Sequence, residues 1–539
     1  MLNPTRVTSE PASALDPLDR IAIAYLTLPP AIFLLGWFEW WVAVPLMVCM
    51  AYSLRPILTA RAATSPTPTA IRLPVTSLQL TVAVAVGCGW TLLGGTDHLA
   101  FANADWHIRD AVLHDLVASP WPVGYGLLDG KESLLRAPVA FYLPAALVGK
   151  VLGLATAHVA MGIWTATGAT LFLLQVLSLT PSRLRVALTV SAVVVLFSGL
   201  DIIGSLLNDG PRFRYDWNIT THIEWWAGKF QYSSMTTQLF WVPNHALGGW
   251  LTIGLLFRHP RSAQLNLLLP IVVVAAALWS PLTALGLVPF VLWRVAADSW
   301  RERSWRWVNP MVWAPAAAIG LVISAYLVLD PGRLPKGVAV GRQDDLLMDL
   351  LQQAQFFLLE AGIIGAAILV LHRSSQVALA LAILALLPLV YLGPANDLVM
   401  RASIPSLAIL TIASCLALIE PAADKKRFRY KGVLAGLLLI GAVTPVEEIA
   451  RAVLLPAWPV NMTATLIGAD CGHFSPHYVA RLGDEEIGHL MRPMHRIPLG
   501  PQGPASCGNP AFELMWSWGS TPREKLRPLV SVRGKPGNF

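Results

Sequence analysis

Runs of apolar residues recur along the whole chain and alternate with short polar segments. Thirteen of these runs are candidates for helices that cross the ~30 Å hydrocarbon core of a bilayer. They cover residues 21–38, 40–54, 75–95, 157–179, 186–204, 242–257, 265–279, 282–296, 310–329, 355–371, 376–393, 403–419 and 432–449. Backbone in lipid is satisfied only in helices and closed barrels, and no alternating ten-residue pattern indicates a barrel. The pattern therefore predicts an all-α polytopic membrane protein with about 13 transmembrane helices.

One further apolar stretch, 138–155, carries Lys150 and two prolines, which weaken it as a crossing segment. We interpret it as an interfacial or re-entrant helix within the first large loop. If it crossed the bilayer instead, every segment after it would change sides.

The charge pattern adds an orientation. Only 13% of the residues are charged, about half the fraction in soluble domains, which is roughly 25%. Basic residues collect in short segments that thirteen crossings place on one side, namely 55–74, 183–185, 258–261, 301–306 and 425–431. The positive-inside rule assigns that side to the cytoplasm. Topology thus explains the net charge of +7 without a nucleic-acid partner.

This topology divides the chain into four parts of an integral protein of the plasma (inner) membrane. They are a cytoplasmic segment without a signal peptide (1–20), a transmembrane hairpin with its basic loop (21–74), a transmembrane core (75–449) and a small extramembrane tail outside the cytoplasm (450–539). In the tail, Cys471 and Cys507 are the candidate disulfide pair, which an oxidising compartment permits. The alternative is two unrelated thiols.

The first large outward loop contains the densest group of polar residues. At helical spacing, His107, Asp110 and His114 share one face of a helix predicted over 105–118, and apolar residues occupy the other. We expect this helix to lie at the membrane surface with its polar face open to water. The face is typical of a solvated helix. Alternatively, Asp105 is a general base that takes a proton from an attacking hydroxyl.

The second outward segment interleaves aromatic and polar residues, among them Glu224 and Trp225. Aromatic rings cover the apolar faces of a sugar while planar polar groups hold its hydroxyls, so the composition suits a carbohydrate. An aromatic belt at the membrane interface has the same composition. His245 opens a span and either faces a cavity or caps the helix.

A third group lies at the outer end of a late span, where Asp397 and Arg401 are spaced for an ion pair on one helix face. An arginine beside the bilayer is costly unless it is paired. Alternatively, Arg401 faces a cavity and binds a phosphate, for which its planar guanidinium is well suited. Arg136 is a secondary phosphate candidate.

The first outward loop resembles that of the GT-C superfamily in three features. They are Asp105, which follows the span 75–95, the helix 105–118, and the stretch 138–155. Members of this superfamily are polytopic membrane glycosyltransferases that use polyprenyl-phosphate sugar donors. The resemblance is architectural and covers roughly residues 75–450. It implies Asp105 as the catalytic base, with Asp110 as second choice. The substrate-binding candidates are Arg401, His107, Glu224, His245, Arg136, Asp397 and Trp225.

The implied reaction moves a hexosyl or pentosyl unit from the carrier to a hydroxyl of a glycan, lipid or protein on the non-cytoplasmic face. No cofactor is demanded, since arginines can neutralise the leaving phosphate; a divalent metal is compatible with the site. The alternatives are a transporter or flippase of a lipid-linked or envelope polysaccharide precursor, and a non-catalytic assembly protein. Transporters tend to carry ionisable residues within spans, and here the spans are nearly free of them except Asp201.

Overall fold

The computed structural model describes residues 15–58, 74–209, 222–228, 230–339, 346–393, 395–483, 487–497 and 508–511. Its α-helices are α1 (Pro17–Trp37), α2 (Trp40–Leu58), α3 (Ser77–Leu93), α4 (Asp105–Ala118), α5 (Leu143–Leu152), α6 (Leu154–Leu177), α7 (Leu184–Leu196), α8 (Asp201–Asp209), α9 (Met235–Trp241), α10 (Pro243–Arg258), α11 (Ala263–Trp279), α12 (Pro281–Glu302), α13 (Pro310–Leu327), α14 (Leu346–Phe357), α15 (Ile363–Leu371), α16 (Ser375–Leu386), α17 (Asp397–Ala402), α18 (Ile404–Ile419), α19 (Lys425–Gly441), α20 (Val443–Leu454) and α21 (Leu466–Ala469). The strands are β1 (Val123–Leu128), β2 (Lys131–Leu135), β3 (Lys336–Val338), β4 (Val390–Leu392), β5 (Val479–Arg481) and β6 (His495–Arg496).

Within these described ranges, nine helical segments are long and apolar enough to cross a membrane. They are Pro17–Trp37, Trp40–Leu58, Leu154–Leu177, Leu184–Asn208, Pro281–Glu302, Arg306–Leu327, Leu346–Leu371, Asp397–Ile419 and Lys425–Leu454. A helix also lies at each of the four remaining predicted runs, but these helices are shorter: α3, α10, α11 and the stretch Ser375–Leu389. The protein is therefore a polytopic helical membrane protein, and the number of thirteen crossings stays a prediction.

Helices α10 and α18 form the centre of the bundle. In α10 every residue from Pro243 to Leu256 is buried, and α18 is buried from Ile404 to Cys415. Helix α2, in contrast, leaves Trp40 and Val48 exposed. An apolar outer surface of this kind needs lipid to cover it.

The stretch 138–155 does not form a crossing helix. Its helical part, α5, has ten residues, which rise ~15 Å, or about half the hydrocarbon thickness. The chain then turns directly into α6 at Gly153, whose φ of 90° is a conformation that glycine adopts readily.

The first loop and the tail form one structure, which differs from the expected separate appendage. The hairpin of β1 and β2 gains β5 on one edge, antiparallel to β2, and β6 on the other edge, parallel to β1. Two segments more than 300 residues apart in sequence thus build one four-stranded sheet. In the described chain, β3 and β4 form a second, two-stranded sheet.

The expectation for the helix 105–118 is right about its bounds and wrong about its surroundings. Helix α4 packs against α5, α6 and α21, and both His107 and Asp110 on its supposedly open face are buried. The tail covers this face, because backbone amides of Asn461 and Leu466 donate to Asp110 and Asp115. The carboxylates of this face therefore accept hydrogen bonds from protein instead of water.

Candidate functional site

Asp105 is the accessible carboxylate of α4, since Asp110 and Asp115 are buried. It occupies the first turn of α4, where its backbone amide donates to the side chain of Asn103. Its side chain keeps 45% of its surface exposed and lies 3.4 Å from the Arg109 guanidinium, one turn along the helix. Asp105 is therefore oriented by a cation and remains open to a ligand.

Arg109 is the buried cation that organises this end of α4. Its guanidinium donates to the Trp241 carbonyl (2.6 Å), to Asn244 Oδ1 (2.8 Å) and to the Tyr142 hydroxyl (3.2 Å). Burial alone would lower the pKa of Arg109, but Tyr142, Tyr478 and Asp105 raise it. The group stays charged, and it fixes α4 against the junction of α9 and α10.

Tyr478, a residue of the tail, interacts with both halves of the predicted site. Burial raises the pKa of the Tyr478 phenol, and Arg109, Asp105 and Arg401 all act on it electrostatically. Arg401 also acts on the neighbouring His477. Asp105 and Arg401, nearly 300 residues apart in sequence, are therefore both within electrostatic range of one tail residue.

The ion pair predicted for the third group is present. Asp397 Oδ1 and Arg401 Nη1 are 2.7 Å apart, and the side chains remain 20% and 18% exposed. The neighbouring Gly393 has a φ of 90° and packs against the Asp397 carboxylate, which leaves no room for a side chain there. Arg401 is thus paired and accessible, so both interpretations of this residue are compatible with its position.

Arg136 holds the tail in place. It donates to the carbonyls of Leu327 and Pro476, and its backbone amide donates to the Tyr478 carbonyl at 2.7 Å. The side chain is buried, and burial lowers its pKa. Arg136 acts on His477 electrostatically, so it adds positive charge near the tail residues of the site from a buried position.

Asp110, the second choice for the base, is a buried structural residue. Its carboxylate is 3.0 Å from His98 Nε2 and accepts from the Asn461 amide, and its side chain is 1% exposed. His158 approaches it from α6 at 3.9 Å. A carboxylate enclosed in this way is not open to an acceptor hydroxyl in this structure, and its role as the second-choice base stays a prediction.

Glu224 is likewise buried, which argues against direct contact with substrate. It accepts hydrogen bonds from the Ser234 amide, the Thr237 hydroxyl and Gln231 Nε2, at 2.6–2.8 Å. Burial, together with the charge of Asp201, raises the pKa of Glu224 to about 7. The residue ties the segment before α9 to the bundle.

His222 links Glu224 to a second buried acid. Its Nδ1 is 3.1 Å from Glu448 Oε1 and its Nε2 is 3.6 Å from Glu224. Burial would lower the pKa of His222, but the bond to Glu448 raises it. Trp241 joins this network to the site, because its indole donates to Glu448 at 2.9 Å while its carbonyl accepts from Arg109.

The remaining predicted residues differ in exposure. His245 is buried, with its Nδ1 2.8 Å from the Ser280 hydroxyl, and both Arg109 and Arg401 act on it electrostatically. Trp225 is 43% exposed and meets the His222 ring edge to face. His107 is buried in α4, and its role in substrate binding stays a prediction.

The disulfide prediction falls partly outside the described residues. Cys471 is exposed in the turn after α21. Cys507 lies outside the ranges that the structure describes, so the pairing stays a prediction.

Three residues of the site were not anticipated from the sequence: Arg109, Asn244 and Tyr478. Arg109 carried a usable signal, since it follows Asp105 by one helical turn and is the kind of residue that pairs with it. Asn244 and Tyr478 carried none, because only the folded chain brings them to α4.

No family model, curated protein or solved structure matches this chain. The chemistry of the site follows from its own groups. An accessible carboxylate can accept a proton, and the arginines beside it can bind an anion such as a phosphate.

Proposed function

We propose that the protein is a membrane glycosyltransferase. It transfers a sugar from a polyprenyl-phosphate carrier to a hydroxyl acceptor on the non-cytoplasmic face. The observation that carries the proposal is the accessible carboxylate of Asp105, which lies beside Arg109 and acts electrostatically, together with Arg401, on the same tail residue, Tyr478. A base and an anion site side by side are what such a transfer requires.

Asp105 takes the proton of the acceptor hydroxyl. The hydroxyl oxygen then attacks the anomeric carbon and forms the new glycosidic bond, while the bond from that carbon to the phosphate oxygen breaks. The electron pair leaves with the polyprenyl phosphate. Direct displacement inverts the anomeric centre.

The leaving phosphate gains negative charge, and fixed cations nearby stabilise that charge most in a water-poor site. Arg401 is the accessible cation, and Arg136 and Arg109 add positive charge from buried positions. The arginines can perform this task without a divalent metal, although a metal is compatible with it.

Sidedness follows the same proposal. The exposed basic residues at the start of α19, Lys425 and Lys426, would lie in the cytoplasm. The sheet built by the first loop and the tail would then lie outside, in the plasma (inner) membrane of the cell.

The test measures release of polyprenyl phosphate, which is the common product of every donor of this class, whatever sugar it carries. The full-length protein in lipid nanodiscs is incubated with a panel of hexosyl and pentosyl polyprenyl phosphates and a mixture of glycan and lipid hydroxyl acceptors, and released polyprenyl phosphate is quantified by mass spectrometry. Loss of a general base typically costs 10²–10⁴-fold, so we expect Asp105→Asn to lose at least ~100-fold. Asp129→Asn, in the exposed turn of the same loop, is the matched control. An unchanged rate in Asp105→Asn would contradict the proposal.

A second candidate function is a transporter or flippase. Three candidate membrane spans favour it, because their helices are interrupted: Leu184–Asn208, Leu346–Leu371 and Lys425–Leu454. The acidic residues Asp201 and Glu360 are buried beside these interruptions. Interrupted helices and buried acids are both features of transporters. The same assay separates the two. A transporter moves a labelled lipid-linked sugar across the bilayer of proteoliposomes and releases no polyprenyl phosphate.

A further inference from the structure

Three membrane-crossing segments are interrupted at one level. The segment Leu184–Asn208 loses its helix between α7 and α8, at residues 197–200. The segment Leu346–Leu371 contains a π-helical turn at Leu358–Gly362, and Lys425–Leu454 breaks at Ala442. The π-turn and α20 both pack against α8. Interruptions of this kind are frequent at functional sites in membrane helices.

The interruptions are tied to one another through the backbone. The Leu200 amide donates to the Leu359 carbonyl at 3.1 Å, which joins the first break to the π-turn. A Cβ on Gly199 would collide with the Glu360 carboxylate, and one on Gly441 would collide with the Ser198 carbonyl. The three segments therefore meet without space for intervening side chains.

Two acidic side chains face each other at this junction. Asp201 begins α8 and Glu360 lies in the π-turn; each is 1% exposed. The Leu200–Leu359 hydrogen bond joins the residues just before them, and the two carboxyl groups interact electrostatically. Asp201 Oδ2 accepts from the hydroxyls of Ser198 (2.9 Å) and Thr444 (2.8 Å). Glu360 Oε1 accepts from the Trp226 indole at 2.6 Å.

The other oxygen of each acid has no donor. Asp201 Oδ1 and Glu360 Oε2 are both buried and without a hydrogen-bonding donor group in the described structure. No Lys, Arg or His forms an ion pair with either residue in that part of the chain. Two ionised carboxylates in contact repel each other strongly in a low-dielectric interior, whereas one proton between them turns the repulsion into a hydrogen bond.

We propose that Asp201 and Glu360 bind one proton between Oδ1 and Oε2, and that this proton holds the three interrupted segments together. The inference does not depend on the proposed sugar transfer. The titratable group that acts on the pair from a neighbouring element is Glu224, before α9. His222, Glu447 and Arg451 interact with Glu224 in turn, and Glu448 is paired with Arg451. Of these, Arg451 is already paired with Glu448, so its charge does not compensate the proton when it leaves.

Infrared spectroscopy tests the shared proton directly. The full-length protein in nanodiscs is measured at pH 7 in the carbonyl-stretching region of protonated carboxylic acids. Difference spectra compare the wild type with Glu360→Gln and with Asp201→Asn. In each single variant, the introduced amide donates a hydrogen bond to the oxygen of the remaining acid that lacks a donor in the wild type. The remaining acid therefore ionises without a shared proton. We therefore expect each single variant to lose the whole band of the pair, while Glu302→Gln, which changes an exposed acid at the end of α12, loses nothing.

Two results would overturn the proposal. An unchanged band in both single variants means that both acids are ionised in the wild type. A band that one variant removes and the other retains means that one acid is protonated by itself, without sharing. Thermal unfolding shows that the variants fold and gives a second readout. As the pH rises, the wild type is expected to lose melting temperature at the step where the pair releases its proton, and each single variant is expected to lack that step.

Discussion

Replacing Arg109 with methionine removes the cation that joins α4 to the start of α10. The methionine fills a similar length but donates no hydrogen bond. Asn244 Oδ1 and the Trp241 carbonyl, now 2.8 and 2.6 Å from the guanidinium, would lose their donor. An unsatisfied buried polar group costs about 1–3 kcal/mol, so two of them predict a loss of ~2–6 kcal/mol in the free energy of unfolding. Relief from burying a charge offsets part of this cost.

The assay is equilibrium unfolding in mixed micelles, followed by tryptophan fluorescence. Arg183→Met, at an exposed position before α7, is the control and is expected to change stability by at most ~0.5 kcal/mol. The double variant Arg109→Met with Asn244→Leu removes the orphaned acceptor as well. We expect a coupling of about 0.5–3 kcal/mol between the two sites. Strictly additive effects, or a loss below ~0.5 kcal/mol for Arg109→Met, would refute the assigned role of this network.

Three further predictions concern the acidic network, the phosphate site and the tail. Because the pKa of Glu224 is raised to about 7, folding favours its protonated form, so the free energy of unfolding falls as pH rises from ~4.5 to ~7 and then levels off. Glu224→Gln is expected to flatten this part of the stability profile. An unchanged profile in Glu224→Gln would contradict the assigned role of Glu224. Arg401→Gln is expected to raise the KM for the donor by ~10-fold or more, since a hydrogen bond to a charged group contributes about 1.5–3 kcal/mol, whereas Arg427→Gln leaves KM unchanged; equal KM values in both variants would exclude Arg401 as phosphate ligand. Arg481 bonds Asp330 twice, at 2.7 and 2.8 Å, so Arg481→Gln is expected to speed proteolysis of the tail without lowering the melting temperature of the bundle; equal cleavage rates would show that this pair does not hold the tail.

The helices were predictable from sequence because their signal is local. An apolar run such as 403–419 by itself predicts a helix in lipid or in a buried position, and α18 occupies that stretch. The ends were less certain. Helix α19 begins at Lys425, well before the apolar run at 432–449, because Asp424 caps its basic first turn.

The surroundings of α4 were not predictable. The sequence predicts a solvated polar face for α4, but in the fold Asn461 and Leu466 cover that face. These residues lie some 350 positions further along the chain, and strands such as β5, with three residues, are too short to leave a pattern. Contacts of that separation carry no local periodicity.

The candidate site was predictable in part. Asp105 and Arg401 stand out because charged residues at the ends of spans are costly and need a reason. Asp110 and Glu224 stand out for the same reason, yet the folded chain buries both. Composition alone does not separate an acid that meets a ligand from one that holds the fold together. Burial and hydrogen-bond partners make that distinction.

The proposed function requires that Asp105 faces the non-cytoplasmic side. All five cysteines are first replaced, and single cysteines are then introduced by Asp129→Cys in the first loop and Lys426→Cys in α19. Intact cells are treated with a membrane-impermeant maleimide. We expect labelling at position 129 in intact cells and at position 426 only after the membrane is opened. Labelling at 426 with protection at 129 would place the first loop and Asp105 in the cytoplasm and contradict the proposed function.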